Sequence, residues 1–451
     1  MARRPPAAAR AGAARGARRR DRAARASPGA AGGALLTAAI LRAGARTFLS
    51  VRKHRNYRLF FTGQVISNIG TWMQRVAQAW LVLSLTHSPV AVGILALCQF
   101  MPFTFFSLVA GVVVDRLDSW KTVISTQCTQ MFLASVMAAL ALTGVAQPWQ
   151  VYVIAALMGL VQVLDAPSRQ SLTFRMVGPK ELPNAISLNS GVFNGARIFG
   201  PALGGVLIAT AGAGVCFAVN AVSYIAVIVG LLLMRPQEFH AVERRERPRT
   251  LLRGLKEGIS YARGDDQILL VLVLVAVMST FCLNFNVLLP VLAKQTLHSG
   301  PQVFGILSAV FGVGALIGAL VSANIARATM ATTVIGTAGF ALSELLIAPL
   351  RSTVAIAALL FVGGISFTTW SSNANSLVQL SAPDHLRGRL IGLYFFAFAG
   401  TGTAGGILMG WLTAAGGTEL GFAVAGIAGL SVSALVWLRS RAVPIAEEQP
   451  A

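Results

Sequence analysis

Five polar side chains follow one another at helical spacing through an otherwise apolar segment near the start of the chain. They are separated by 4, 3, 4 and 3 residues, and they are Gln64, Asn68, Thr71, Arg75 and Gln78. This spacing places all five on one stripe of an α-helix. An arginine in such a stripe offers a permanent charge and a rigid fork of N–H donors that suits carboxylates, phosphates and other acceptors. The stripe therefore predicts recognition of an anionic or acceptor-rich ligand.

A second polar stripe lies further along the chain. Ser187, Ser190, Asn194 and Arg197 are separated by 3, 4 and 3 residues. Polar stripes on hydrophobic helices are costly against lipid, so both stripes are expected to face protein or water. We hypothesise that Arg75 and Arg197 bind the substrate in a positively charged cavity, lined also by Asn194 and the rest of the first stripe. The alternative is that amides and backbone carbonyls satisfy each arginine, which would then only fix helix packing.

Acidic partners for these arginines are scarce. Of the 16 Asp and Glu residues, Asp165 and Glu344 lie inside long apolar segments, and Glu419 stands at the outer edge of the last one. Asp165 is close to Arg169, whereas Arg197 lies about three to four turns into the next segment, so a direct Asp165–Arg197 pair is not expected. Asp165 and Glu344 are also the only buried acids that the sequence offers for proton coupling.

The sequence shows no metal site and no catalytic arrangement. The four cysteines lie singly in apolar runs, without CxxC spacing or a neighbouring histidine. All five histidines lie in loops or tails, so a catalytic His/Asp or Ser/His pair within the apolar segments is not expected. A phosphate-binding G-x-x-x-x-G-K-[ST] loop is absent as well. We therefore predict no metal, no cofactor, no ATP drive and no enzymatic activity.

The composition is that of an integral membrane protein. The chain has 451 residues, of which 55% are hydrophobic and only 12% charged, and its mean hydropathy is +0.68. A soluble chain carries about twice that charged fraction. The net charge of +21 would suggest nucleic acid in a soluble protein, but 15 of the 37 Lys and Arg residues lie in 1–58 and eight more in 235–263. Such clustering outside the apolar segments is typical of membrane orientation, so we predict a lipid bilayer and no nucleic acid as partner.

Twelve apolar segments are long enough to cross about 30 Å of hydrocarbon. The sequence thus predicts an all-α membrane protein whose spans lie near 59–85, 90–113, 122–145, 149–167, 184–209, 214–234, 267–291, 302–324, 332–349, 353–378, 388–413 and 417–437. If the N-terminus is cytoplasmic, the only bases in the outside loops are Lys294 and Arg351. This asymmetry predicts a multi-pass protein of the cell (plasma or inner) membrane with both termini in the cytoplasm.

The chain divides into two halves of six spans. We expect an Ala/Arg-rich disordered tail at 1–56, a first half at 57–235, a cytoplasmic linker with an amphipathic helix at 236–266, a second half at 267–438 and a short tail at 439–451. An internal repeat supports the division, because 89-PVAVGIL-95 matches 301-PQVFGIL-307 and 179-PKEL-182 matches 383-PDHL-386. Parallel six-helix halves are typical of transporters with a central binding site.

The loop after the second span reads 111-GVVVDRLDSWK-121. Gly111 allows close approach of helices, Asp115 can pair with a base or with a helix N-terminus, and Arg116 and Lys121 add positive charge. The residues themselves leave open whether this loop is a gating latch or a charged turn that fixes topology.

This loop resembles the signature loop of the major facilitator superfamily, which implies that Gly111, Asp115, Arg116 and Lys121 help to close the cytoplasmic side. Residues 54–438 are similar to its drug- and siderophore-exporting branch, the enterobactin-exporter and macrolide-efflux-like carriers. The stretches that carry the likeness include 55-RNYRLFFTGQ-64, 70-GTWMQRVAQAWLVLSLT-86, 165-DAPSRQ-170, 183-PNAISLNSGVFNGARIFGPALGG-205 and 384-DHLRGR-389. In that fold the first and fifth spans border the central cavity. The relatives commonly place an acid in the first span where this chain has Ala79.

The stretch 200-GPALGG-205 in the fifth span resembles the family's antiporter motif. Pro201 loosens the helix, while Gly200, Gly204 and Gly205 permit tight contact with a neighbouring helix. A packing kink without a coupling role is the alternative.

The resemblance implies a monomeric, proton-driven exporter of a small organic solute that works by alternating access. An importer or facilitator on the same fold is the alternative within this class. A membrane enzyme is disfavoured by the lack of histidine in the spans, and a non-transporting receptor by the intact polar stripes.

Overall fold

The computed structural model describes residues 48–114, 116–240, 251–323, 328–383 and 386–442, and these ranges are helical and contain no strand. The first half consists of α1 (Leu49–Lys53), α2 (Arg55–Thr86), α3 (Pro89–Val114), α4 (Ser119–Leu142), α5 (Pro148–Ala211) and α6 (Ala213–Leu232). After a 3₁₀ turn (Pro236–Glu238) and α7 (Leu251–Gly264), the second half consists of α8 (Asp266–Val277), α9 (Phe285–Val291), α10 (Pro301–Ala323), α11 (Met330–Ile347), α12 (Thr353–Ser381), α13 (Arg387–Phe395) and α14 (Thr401–Ala442).

Two of the helices are too long for one crossing. The 64 residues of α5 would extend about 96 Å at 1.5 Å per residue, roughly three times the hydrocarbon thickness. Gly178 breaks this helix with a φ of 71°, a left-handed conformation that glycine adopts without steric cost, and Pro179 follows it. Gly417, with a φ of 72°, breaks α14 in the same way. Each long element therefore contributes two antiparallel spans, or the greater part of them.

The twelve predicted spans are all present. Nine helical stretches among the described residues are long and apolar enough to cross a membrane, and two of these, Pro148–Ala211 and Arg387–Arg441, contain two spans each. The remaining span is α2, whose 32 residues are long enough but whose polar stripe lowers its hydropathy. The fold is thus an all-α membrane bundle of two six-helix halves, as predicted.

The first residues of the described chain pack against the bundle. Residues 1–47 lie outside the described ranges, but α1 falls within the predicted disordered tail of 1–56 and is folded. Ser50 is fully buried, its backbone N–H donates to Asn184 Oδ1 at 3.0 Å, and its hydroxyl donates to the Glu181 carbonyl at 3.2 Å. The predicted tail boundary therefore lies several residues too late. The sequence missed it because α1 is too short to show a hydrophobic period.

The two ends of the bundle differ in how closely the halves approach. An even number of spans brings both described termini to one end, which we call the terminal end, and we call the other the distal end. Toward the distal end, a Cβ added at Gly205 on α5 would stand 2.6 Å from the Pro301 carbonyl oxygen. Gly191 lies two heptads earlier on the same face of α5, yet a Cβ there would meet nothing within 4 Å among the described residues. The halves therefore touch toward the distal end, whereas α5 has no second-half neighbour at Gly191 among the described residues.

The first half contains a buried polar network between α2, α4 and α5. Asp165 is fully buried, and its Oδ1 accepts hydrogen bonds from Thr126 Oγ1 at 2.6 Å and Gln127 Nε2 at 3.0 Å. Its Oδ2 forms an ion pair with Arg169, one helical turn away, and Arg169 also donates to Gln64 Oε1 on α2. The predicted proximity of Asp165 and Arg169 is thus found, and the pair ties α2 to the rest of its half.

Further hydrogen bonds fix the rotation of α2. Asn220 Nδ2 on α6 donates to Gln74 Oε1 at 2.6 Å, and Tyr224 Oη donates to Gln130 Oε1 at 2.8 Å. The Thr71 hydroxyl lies 3.4 Å from Tyr224 Oη. Because Gln74 is held against α6, the adjacent Arg75 is turned toward the space between the halves.

We predict that the single change Asp165→Asn destabilises the protein more than the double change Asp165→Asn with Arg169→Gln, which removes both charges of the ion pair. The single change leaves the Arg169 charge in a mostly buried position, and unpaired buried charges cost on the order of 3–5 kcal/mol. The unfolding temperature in detergent should therefore fall clearly for Asp165→Asn and recover in part for the double variant Asp165→Asn with Arg169→Gln.

The matched control is Arg175→Gln, which removes the more exposed ion pair with Asp118. Surface pairs contribute about 0–1 kcal/mol, so this change should have little effect. An Asp165→Asn variant as stable as Arg175→Gln would contradict the prediction.

Candidate substrate cavity

A cavity lies between the two halves. Its volume is about 650 Å³ with its open mouth included, and its walls come from α2 and α5 of the first half and from α9, α10 and the turn before α9 in the second. The polar side chains that line it, apart from the Trp72 indole, are Arg75, Arg197, Asn286 and Ser308. The described lining thus contains two cations, one amide and one hydroxyl, and no carboxylate.

Both guanidinium groups lie against aromatic rings. Arg75 Cζ is 4.9 Å from the centre of the Trp72 ring and 6.0 Å from that of Phe100. Arg197 Cζ lies 5.9 Å from the same Trp72 ring. The negative faces of these rings partly compensate for lost hydration, an effect worth about 0.5–2 kcal/mol per contact.

Arg197 also contacts the second half. Its Cζ lies 5.1 Å from the Phe311 ring on α10 and 5.0 Å from the Phe367 ring on α12. Within the described chain, neither Arg197 nor Arg75 has a carboxylate within 4 Å or a hydrogen bond to another protein group. Aromatic faces stabilise the charge but accept no N–H, so donors remain available to a ligand.

The other residues predicted to line the cavity make hydrogen bonds within the first half. Of the seven predicted cavity residues, Arg75 and Arg197 line the cavity described above, whereas the other five bond within their own half: Gln64 with Arg169, Asn68 with Gln64, Thr71 with the Ser67 carbonyl, Gln78 with Gln99 and Asn194 with the Ser190 carbonyl. A cavity role for these five stays a prediction, because helical spacing alone cannot separate a cavity edge from a buried polar edge.

Two polar lining residues were missed. Asn286 and Ser308 come from the second half, where single polar residues stand in strongly apolar segments. Asn286 could have been noticed, because an asparagine inside a span is expected to face protein or water. Ser308 gave no comparable indication, since serine is common in apolar helices.

The 200-GPALGG-205 stretch makes two different contacts. A Cβ at Gly200 would stand 2.5 Å from Trp72 Cβ, and one at Gly204 would stand 3.1 Å from Met73 Cγ, so these two glycines let α5 pack on α2. Gly205 instead faces the second half, and Pro201 lines the cavity. The motif therefore positions the Trp72 ring beside both arginines.

The two proton-coupling candidates lie outside the cavity wall. Asp165 belongs to the network of the first half described above. Glu344 on α11 is fully buried, and among the described residues its carboxyl group has no polar partner other than the weakly donating Cys282 thiol. Ala79 lies in the cavity wall.

The predicted gate loop is described only in part. Gly111 lies near the end of α3, Asp115 lies outside the described residues, and the side chains of Arg116 and Lys121 are exposed.

A second acid in the same loop, Asp118, anchors it. Its Oδ1 accepts the Lys121 backbone N–H at 3.0 Å as the N-cap of α4, and its Oδ2 pairs with Arg175 on α5 at 3.0 Å. Burial acts to raise the pKa of Asp118, but these two donors outweigh it, so the pKa lies below its ordinary value. Asp118 was not among the predicted gate residues, although Asp followed by a helix is an N-cap pattern.

Known proteins resemble this chain over most of its length. The family model described as "Transmembrane secretion effector" matches residues 47–450. The staphyloferrin A transporter of Staphylococcus aureus is 22% identical over 87% of this chain and 98% of its own. The multidrug efflux pump Tap of Mycolicibacterium fortuitum is 28% identical over 81% of this chain and 90% of its own.

Solved transporters share the fold. The nucleoside transporter NupG has a TM-score of 0.68 with 12% identity, and covers 86% of this chain and 99% of its own. A POT family transporter in complex with 5-aminolevulinic acid has a TM-score of 0.69 with 12% identity, covering 86% of this chain and 96% of its own. With the twelve spans and the cavity between two halves, the family match shows that this chain is a member of the transmembrane secretion effector family, within the efflux branch of the major facilitator superfamily.

Proposed function

We propose that this protein exports a small organic solute from the cytoplasm by alternating access, and that Arg75 and Arg197 bind the solute between the two halves. The observation that carries the proposal is the pair of guanidinium groups in a cavity wall without a carboxylate. The relatives are named as a siderophore transporter and as a drug efflux pump, which supports export of an organic molecule.

The orientation follows from the charges. The terminal end carries Arg116, Arg169, Arg175, Lys180 and most other bases, so we place it in the cytoplasm of a cell whose plasma or inner membrane holds the protein. The halves are in contact toward the distal end, while Gly191 of α5, nearer the terminal end, has open space beside it. This difference supports loading of solute from the cytoplasm as the first step of the proposed export.

The substrate class follows from the lining. Two guanidinium groups around one cavity favour a ligand with a carboxylate, a phosphate or several acceptor oxygens. Apolar and aromatic side chains such as Phe285, Phe304 and Phe311 supply the rest of the wall. An organic anion with an apolar or aromatic body therefore suits the lining of the cavity.

We predict that Arg75→Gln and Arg197→Gln each weaken transport of an organic anion. A charge-assisted hydrogen bond contributes about 1.5–3 kcal/mol, so the apparent affinity should fall on the order of 10- to 150-fold. Efflux of a labelled organic anion from loaded cells, at matched membrane levels, gives the measurement.

Arg351→Gln serves as the matched control, because Arg351 pairs with Glu419 far from the cavity wall. Arg75→Lys keeps the charge but loses the fork, and should lie between the parent and Arg75→Gln. Anion efflux by Arg75→Gln and Arg197→Gln at the rate of Arg351→Gln would overturn the assignment of these arginines.

Coupling to protons is part of the proposal, and Asp165 and Glu344 are its candidate carriers. The Asp165 carboxylate already accepts three hydrogen bonds, one of them from Arg169, so a proton could bind only if that pair opened. Glu344 lacks such partners among the described residues, and its neutral acid is far less costly to bury than an unpaired carboxylate. This difference favours Glu344 as the group that gains and loses a proton as the halves move.

We predict that everted membrane vesicles with an acid interior lose part of their pH gradient when a transported organic anion is added. Glu344→Gln should abolish this loss while retaining binding of the anion, because the amide mimics the neutral acid. Asp165→Asn is compared in parallel. Loss of the response in Asp165→Asn alone would transfer the role to Asp165, and transport without any collapse in the parent would indicate a facilitator or importer.

A further inference from the structure

The two bases predicted to lie outside make different contacts. Arg351 pairs with Glu419, and both belong to the second half. Lys294, at the end of the seventh span, instead reaches the first half: its Nζ is 3.2 Å from Ser84 Oγ and 3.4 Å from the Leu83 carbonyl oxygen. Among the described residues it has no carboxylate within 4 Å. Lys294, one of the two bases outside the positive-inside pattern, thus joins the two halves at the distal end.

The same lysine covers an aromatic ring of the first half. Lys294 Nζ lies 5.6 Å from the centre of the Trp80 ring on α2. On α10, Phe304 stacks with Trp80 at a centroid distance of 6.3 Å and an interplanar angle of 19°. Lys294 and Phe304 both belong to the second half, so the Trp80 ring of the first half packs against two side chains of the facing half.

This group lies next to the substrate cavity. Phe304 is buried and its side chain also lines the cavity wall, as does Ala79, the residue before Trp80. Trp80 lies five residues, or about one and a half turns, beyond Arg75 on α2, toward the distal end. A solute that leaves the cavity toward the distal end must therefore displace or pass these side chains.

Neighbouring contacts close the same end. Gln295 Nε2 donates to the His87 carbonyl oxygen at 3.1 Å, which again joins the second half to the first. Each contact is modest, since one cation–π pair or one hydrogen bond changes an equilibrium by about 2- to 30-fold. A closure built from such contacts can open during a transport cycle.

We propose that Trp80, held between Lys294 and Phe304, is the distal gate of the cavity, and that Lys294 is the residue that positions it. The proposal rests on the alternating access proposed above. Opening of the distal end separates Trp80 from both second-half partners. Because Phe304 lines the cavity and forms one face of the gate, a bound solute and the closed gate compete for the same side chain.

The test measures access to the cavity from each side of the membrane. All four cysteines are replaced by alanine, and Ser308→Cys supplies a thiol in the cavity wall. Its reaction with a membrane-impermeant maleimide is followed in intact cells and in everted vesicles. Ser440→Cys, near the end of α14, identifies the side of the terminal end, so the result does not depend on the assumed orientation.

We expect Lys294→Met to raise the labelling of Ser308→Cys from the distal side by about 2- to 30-fold, the range for one lost cation–π contact, and to lower it from the terminal side. Lys294→Arg should resemble the parent, because it keeps the cation over the ring. Arg351→Met is the matched control and should leave both rates unchanged. Trp80→Leu should act like Lys294→Met, and it provides the same test if Lys294→Met does not reach the membrane.

The gate would be overturned if the parent transports and the labelling of Ser308→Cys from the distal side is the same in three variants, namely Lys294→Met, Trp80→Leu and Arg351→Met. Failure of the proposed function gives a different result, because the parent itself would then export no solute. Labelling that increases equally in Lys294→Met and Arg351→Met would show that any loss of charge loosens this end, and would also overturn a specific role for Lys294.

Discussion

The arrangement depends on keeping two arginine charges inside a membrane bundle whose described residues place no carboxylate within 4 Å of either guanidinium. A guanidinium among apolar helices is strongly disfavoured unless other groups replace the lost water. Here the replacements are ring faces: Trp72 contacts both arginines, and Phe311 and Phe367 contact Arg197. Because ring faces take up no conventional N–H hydrogen bond, the charges are stabilised while their donors stay available. A carboxylate in the same place would have stabilised the charge better, but it would have neutralised it and occupied donors that a ligand could use.

The polar side chains of α2 have two roles: some bond to neighbouring helices of the first half, and Arg75 faces the cavity. One side of the helix holds α5 and α6 through Gln64, Gln74 and Thr71. The other side presents Arg75 to the cavity. The only buried ion pair of a spanning helix in the described part of the first half, Asp165–Arg169, belongs to the supporting side. The first half can therefore move as a unit while Arg75 keeps its position relative to Trp72.

The sequence predicted the spans well because membrane thickness imposes a length and a hydropathy that local composition reveals. It singled out Arg75 and Arg197, which lie in one cavity wall, since an arginine in a span is expected to face away from lipid. It could not assign the rest of the stripe, because a cavity and a buried polar network demand the same helical spacing. The second-half contributions of Phe304 and Phe367 were invisible for another reason: they depend on contacts between segments far apart in the chain. The predicted tail extended too far for a third reason, since α1 is held by Asn184 and Glu181 rather than by its own composition.

Arg197 connects binding to movement. It is a residue of the first half, yet two of its three aromatic contacts, Phe311 and Phe367, come from the second. Any motion that parts α5 from α10 and α12 removes these contacts, at a cost of about 0.5–2 kcal/mol for each ring. An anionic solute beside Arg197 offers a better partner than either ring and offsets that cost. Occupied and empty cavities then differ in how easily the halves separate, which is the differential interaction that a ligand needs in order to shift a conformational equilibrium.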